Sequence, residues 1–342
     1  MKCTELASAA PPSGATGDAG FVRLSKDRIA YGMDLAQATR GGILLHRDLL
    51  SGGLSAAAIH RLVSQGTLVR LRRGAYTTPD AAAARDDRYR LSVIASMALG
   101  DVNRVAAQWS AGALHRLPLI GAWPSKLHII DPHAAGGSSS ANVVLHRSRA
   151  DTLDTCLIDG CRATTLSRTV ADMCRVLPFA PAVAMVDEAL RRGLTTTTLL
   201  DELDGMNARY GRRAAQAAIE FGNARAANAG ESLSRARIHE LGYAPPELQV
   251  RFVDTRGQRR DVDFFWQSVR KIGEFDGIHK YTRAEYTEGR ASAEVVVREK
   301  QREDALRPLV ASFDRWLWDD AISPARFDRF LRERGVPRAR RG

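Results

Sequence analysis

The chain has 342 residues, of which 44% are hydrophobic and 26% charged, and it carries a formal net charge of +11. That balance belongs to a globular protein of two or three domains and excludes a low-complexity or collagen-like chain. No apolar run approaches the roughly 20 residues of a membrane-spanning helix. The basic excess points to polyanionic partners, nucleic acid before an anionic membrane surface, although an arginine-rich, GC-biased genome accounts for such a charge as well.

The four cysteines are Cys3, Cys156, Cys161 and Cys174. None forms a C-x-x-C pair and none has a histidine at zinc-ligand spacing, so no zinc site is expected. So few cysteines suit a reducing, cytoplasmic compartment. The first 20 residues are rich in Ala, Ser, Gly and Pro, lack the apolar core of a secretory signal, and are expected to be disordered. Met33 stands just before the first helical pattern, so residues 1–32 read as an upstream extension from a misassigned start codon.

The first ordered unit is expected over residues 33–80. Ile43–Leu50 reads as a short helix offering Leu45, Leu49 and Leu50 for burial. Gly52 and Gly53 then permit a tight turn, and Ser55 suits an N-cap. In the next helix Ala58, Ile59, Leu62 and Val63 form an apolar stripe. Its outer face carries Ala56, Ala57, His60, Arg61, Ser64 and Gln65, and Gly66 ends it. "TLVRLRRGAYTT" follows as strand, turn and strand. The order is helix–turn–helix plus a basic wing. His60, Arg61, Ser64 and Gln65 are placed to enter the major groove of double-stranded DNA, and Arg70, Arg72 and Arg73 to meet phosphates. The same order also serves folds kept only for protein–protein contact. The leucine–leucine–glycine turn, "LVSQGTLVRL" and "RRGAY" resemble the N-terminal winged helix of AbiEi-type antitoxins of type IV toxin–antitoxin systems. That resemblance implies promoter binding and repression of the protein's own operon.

Residues 85–205 read as a mixed α/β middle domain. "DDRYRLSVIASMALG" and "VAAQWSAGALHRLPLIG" read as helices, "KLHIIDP" and "NVVLHRS" as strands, and "TCLIDGCRATT" as a hairpin turning at Asp159-Gly160. Helices follow in "SRTVADMCRVL", "APAVAMVDEALRRG" and "TTTLLDELDG". His115 reads as a packed histidine. The glycine-rich "GGSSSAN" is a loop and not a phosphate cradle, and there is no nucleophile motif. "WSAGALHRLPLIG" resembles the region after the winged helix in AbiEi-like proteins, which implies toxin contact and help with DNA binding. Residues 206–229 read as an Ala-rich helical connector.

The last domain, residues 230–335, begins with a helix from Glu231 to Leu241 and continues with the strands "LQVRFVD", "RRDVDFFW" and "VRKIGEFDG"; residues 336–342 form a basic tail. Strand alternation puts Asp261, Asp263 and Phe265 on one face, with Val262, Phe264 and Trp266 on the other. Ile272, Glu274 and Asp276 share a face of the next strand. If those strands pair antiparallel, Asp263 and Glu274 lie side by side, an arrangement that calls for a cation such as Mg²⁺. A structural explanation is also open, with Asp263 capping a turn and Glu274 paired to Arg259 or Arg260. "VDFFW…IGEFDG", "VVREKQREDALR" and "ASFDRWLW" resemble the very-short-patch-repair-like endonuclease domain of the PD-(D/E)XK superfamily, an α/β restriction-endonuclease-like fold. By that resemblance Glu231 is the first-helix acid and Asp263 and Glu274 are the metal ligands. Asp276 stands where the motif has lysine, leaving Lys280 or Lys300 to supply the cation. The expected whole is thus an α+β multidomain protein that binds DNA and cleaves or nicks it with Mg²⁺. The alternative is a non-enzymatic transcriptional repressor or antitoxin whose partner is a nucleotidyltransferase-type toxin.

Overall fold

The computed structural model describes residues 41–131, 142–146, 153–206, 209–277 and 300–340. The expected extension over 1–32, Met33, His133, Lys280 and nearly all of "GGSSSAN" lie outside them. The fold is mixed α+β with three sheets among the described residues. Two compact units divide the chain: Met1–Leu117 with Trp123–Thr169, and Pro118–Ala122 with Val170–Gly342. No helix among the described residues is long and apolar enough to cross a membrane.

The first unit opens with β1 (Leu44–Leu45), α1 (His46–Ser51), α2 (Ala56–Ser64), β2 (Val69–Arg72) and β3 (Ala75–Thr77). The expected helix over Ile43–Leu50 is corrected. Its first residues are extended because Leu44 and Leu45 pair with Tyr76 and Ala75, and Leu50 stays 43% exposed. The sheet order is β1-β3-β2. Leu44, Leu49, Leu54, Ala58, Ile59, Leu62, Leu68 and Tyr76 form the core beneath it. Ser55 caps α2 by accepting from Ala58 N at 3.2 Å.

Next come α3 (Arg85–Leu99), β4 (Val105–Ala106), α4 (Gln108–Leu114), β5 (Leu127–Ile130), β6 (Val143–His146), β7 (Thr155–Ile158) and β8 (Cys161–Thr164). The five strands form one sheet ordered β6-β5-β4-β8-β7. The single helix expected across "VAAQWSAGALHRLPLIG" is therefore replaced by a strand and a seven-residue helix, since Val105 and Ala106 pair with Ile130 and Ile129. The β7–β8 hairpin turns as expected at Asp159 (φ 49°) and Gly160 (φ 75°), both in the left-handed region that a tight two-residue hairpin demands. His115 is half-buried, and its Nε2 lies 2.8 Å from Thr164 O, a packed and satisfied histidine.

The second unit holds most of α5 (Leu166–Cys174), then α6 (Phe179–Arg191), α7 (Thr196–Gly205), α8 (Arg212–Phe221) and α9 (Ala229–Glu240). The expected connector is not one helix. α8 ends at Phe221, packs on α6, and buries Ala215, Ala218 and Ile219. The chain then passes through residues 222–228 before α9 begins. α6 and α9 are joined by a buried ion pair, in which Arg235 Nη2 donates to Asp187 Oδ1 and Oδ2 at 2.9 and 3.0 Å. After α9 come β9 (Glu247–Val253), β10 (Arg259–Trp266), β11 (Lys271–Asp276), a helix over residues 300–306 (α10), β12 (Ser312–Leu317), α11 (Trp318–Ile322) and α12 (Pro324–Glu333). The sheet order is β12-β11-β10-β9, antiparallel except for the parallel pair β11–β12. Gly230 lets α9 approach the sheet, since a Cβ there would stand 1.9 Å from the Phe275 ring.

The expected alternation along β10 breaks at Asp263. Val262 packs with Ile272, Leu306 and Phe313, with Phe265 against the same cluster, whereas Phe264 meets Trp316. The cause lies on β9, where Gln249 adopts φ 51° and the ladder pairs Val250–Val262 and Leu248–Phe264 but not the residues between them. Such an irregularity re-aims the side chains beside it.

Candidate functional site

Two groups of residues carry the chemistry expected from the sequence, one in each unit. In the first unit, Ala56, Ala57, His60, Arg61, Ser64 and Gln65 are all exposed on α2, opposite the buried Ala58, Ile59 and Leu62. The β2–β3 hairpin turns through Arg73-Gly74, and a register shift between Arg70 and Arg72 interrupts its ladder. Arg70 and Arg73 are exposed, Arg72 half-buried, and no described carboxylate pairs with any of the three. An outward helix face of small and polar side chains beside an arginine-bearing wing has the layout of a duplex-binding surface.

In the second unit, Asn228, Glu231, Asp263, Glu274, Phe275, Asp276, Arg302 and Arg315 line a cleft of about 240 Å³. Four residues named from the sequence thus meet in one place. Lys300 is exposed and is not among the lining residues. Glu231 sits in the first turn of α9 behind the N-cap Asn228, whose Oδ1 accepts from Gly230 N and Glu231 N. The Glu231 carboxylate accepts from Ala227 N at 2.7 Å, Asn228 Nδ2 at 2.6 Å and Gln249 Nε2 at 2.9 Å. The β10–β11 ladder runs from Trp266–Lys271 to Phe264–Gly273, and beyond it Asp263 Oδ2 accepts from Phe275 N at 2.9 Å. Asp263 therefore does cap a backbone amide, at the end of a ladder and not in a turn. Gln249 Nε2 also stands 3.4 Å from Asp263 Oδ1, so one amide bridges two acids.

Glu274 is held differently. Arg302 Nη1 and Arg315 Nη2 each donate to Glu274 Oε2 at 3.0 Å. These partners, and not Arg259 or Arg260, neutralise it; Arg260 pairs with the buried Asp254. Glu274 Oε1 is buried without a hydrogen bond, with Arg302 Nη2 2.7 Å away but off the hydrogen-bond line. Arg302 Nη2 itself donates to Asp261 O at 2.7 Å.

Burial first, and then the charge of Asp263, push Glu231 up to about 7. Burial first, opposed by the Phe275 amide and assisted by Glu274, pushes Asp263 up to about 6. Two neighbouring acids resisting ionisation mark a place that a positive charge would relieve. Among the described residues no group of three or more His, Cys, Asp or Glu is arranged as a ready metal cage. Magnesium asks for less, because one or two carboxylates with waters and a substrate phosphate complete its shell. Asp263 and Glu274 line the cleft as two such carboxylates, with Glu274 Oε1 ion-paired to Arg302 Nη2 at 2.7 Å.

Asn228, Gln249, Arg302 and Arg315 were not singled out from the sequence. Only the first had a readable signal, the N-x-x-E spacing of Asn228 and Glu231 that marks a helix start.

No curated protein matches the chain. The crystal structure of the RV2827C protein from Mycobacterium tuberculosis is similar over 56% of this chain and 74% of that one, at 16% identity and a TM-score of 0.35. Residues 33–79, the winged-helix segment, match the family described as transcriptional regulator, AbiEi antitoxin.

Proposed function

We propose that this chain is a DNA-binding protein of the AbiEi antitoxin type whose second unit is a Mg²⁺-dependent endonuclease-like domain that cleaves or nicks DNA. The observation that carries this reading is the meeting of Glu231, Asp263, Glu274 and Asp276 in one cleft at the end of the β10–β11 ladder. The chain order of helix, three antiparallel strands, helix and parallel strand supports it, as it is the order of the endonuclease-like fold that the sequence resembles.

Asp263 and Glu274 would hold the magnesium ion. When bound, the ion polarises a phosphodiester and makes water a stronger nucleophile near neutral pH. Glu231 and Gln249 fix Asp263 from behind through the shared amide. The wing arginines and the outer face of α2 bring duplex DNA to the chain by phosphate and groove contacts.

The test is nicking of supercoiled plasmid by the full chain with and without MgCl₂, beside Asp263→Ala and Glu274→Ala. Cleavage that needs magnesium and disappears in both variants is the expected result. Retained DNA binding with no cleavage of several DNA forms overturns the nuclease half and leaves a non-enzymatic repressor.

A further inference from the structure

We infer that Arg302 and Arg315 are the phosphate-binding pair of the cleft, and that they clamp Glu274 until a divalent cation displaces them toward the DNA backbone. The inference rests on the nuclease reading above and names the groups that meet its substrate.

The lysine position of the motif holds Asp276, and among the described residues the cationic side chains that line the cleft are both arginines. They come from separate elements, Arg302 from α10 and Arg315 from β12, where it stands in register with Glu274 on the neighbouring parallel strand. Both converge on one carboxylate. Arg302 also donates to Asp261 O, and Arg315 also lies 3.8 Å from Glu303 Oε2, so each guanidinium reaches beyond Glu274. Glu231 and Asp263, by contrast, take their described hydrogen bonds from amides alone. The arginines therefore bond directly to Glu274, while Asp263 and Glu231 feel Arg302 and Arg191 only through space. The planar, multi-donor guanidinium suits the paired oxygens of a phosphodiester as it suits a carboxylate.

Charge then sets an order of events. Among the described lining residues the carboxylates outnumber the guanidinium groups. A divalent ion bound there lowers the repulsion that an entering phosphate meets. The ion and the arginines compete for Glu274, so metal binding turns the guanidinium groups from a carboxylate to a phosphate.

The experiment uses the full chain with Arg302→Gln, Arg315→Gln and the corresponding lysine variants, each checked for wild-type circular dichroism and Tm. Calorimetric titration with MgCl₂ in the absence of DNA is expected to show roughly tenfold tighter binding in the glutamine variants, because a positive charge has left the side of a cation site. Single-turnover nicking at saturating MgCl₂ is expected to fall about 100-fold or more, with partial rescue by lysine. Inorganic phosphate is expected to bind the wild type only with Mg²⁺ present, and the glutamine variants not at all. Weaker Mg²⁺ binding together with lost nicking would overturn the inference, because the arginines would then only support Glu274. Unchanged Mg²⁺ affinity with wild-type nicking would overturn it as well. A wild type that never nicks defeats the nuclease reading, and the arginine pair is then judged separately. Tighter Mg²⁺ binding and lost phosphate binding in the glutamine variants uphold it; neither effect sinks it.

Discussion

Gln249 is a glutamine in a β-strand with φ 51°, a conformation that costs an L-residue about 1–2 kcal/mol. Its amide meets both Glu231 and Asp263, so strain is held where two acids need a shared donor. In a regular strand glycine is less stable than alanine, but here the order should invert. Gln249→Ala keeps the strain and loses the donor, whereas Gln249→Gly loses the donor and sheds the strain. Urea unfolding is expected to find the glycine variant about 1 kcal/mol more stable than the alanine variant; the opposite order would show that the backbone is not strained there. In the other unit, His128 is also read at the level of single atoms. Its Nδ1 lies 3.0 Å from Gln108 Oε1 and 2.8 Å from His146 Nε2, and Trp109 packs on the ring. Burial, and then the charge of His146, push His128 down to about 4. A histidine lowered from 6.5 is favoured neutral by the fold, so its contribution is complete above about pH 6.5 and is lost as pH falls toward 4. Wild type should therefore lose more unfolding free energy than His128→Gln between pH 6.5 and 4, measured by urea titration at steps across that window. Parallel curves would place the proton elsewhere.

Among elements, α6 and α9 depend on Asp187 and Arg235, both buried, with Arg235 Nη2 donating to both carboxylate oxygens. Arg235 also lies over the Phe221 ring at 4.1 Å, so removing it costs packing as well as charge. Arg235→Ala is expected to cost about 3–5 kcal/mol, because it strands a buried carboxylate. Asp187→Leu with Arg235→Met should recover much of that loss, and recovery in chemical denaturation separates a charge effect from a packing effect. The helices were legible because their signals are local. Ser55 and Thr195 cap as hydroxyls do, the α2 stripe repeats at helical spacing, and Asp159-Gly160 turns the hairpin. What the sequence hid was non-local. Leu44–Leu45 is extended only because β3 lies beside it, and Val105–Ala106 only because β5 does. The partners of Glu274 stand 28 and 41 residues away, so the nearer Arg259 and Arg260 looked equally eligible. The acids themselves were legible, since Asp263, Glu274 and Asp276 interrupt apolar strands. Gln249 was not, because no residue pattern announces a left-handed glutamine in a strand.

At the scale of the molecule, the winged helix and the cleft belong to different compact units of one chain. On the proposed reading, covalent linkage would raise the local concentration of DNA at the second unit once the first has bound. Binding and chemistry should then separate by mutation. On the proposed reading, the triple variant Arg70→Ala, Arg72→Ala, Arg73→Ala would remove phosphate contacts, each of which would change the slope of log affinity against log salt by about 0.9. It should need more DNA for half-maximal nicking while reaching the wild-type rate at saturating DNA and Mg²⁺. Asp263→Ala should do the reverse, retaining wild-type affinity and salt slope while losing cleavage. Raising the salt should narrow the affinity gap between the triple variant and the wild type, because the contacts removed are those that salt screens. Gel-shift titrations at several KCl concentrations, paired with single-turnover nicking, read both axes on the same proteins. A triple variant that loses its maximal rate along with its affinity would mean that the wing takes part in assembling the cleft's substrate, and the division of labour between the two units would fail.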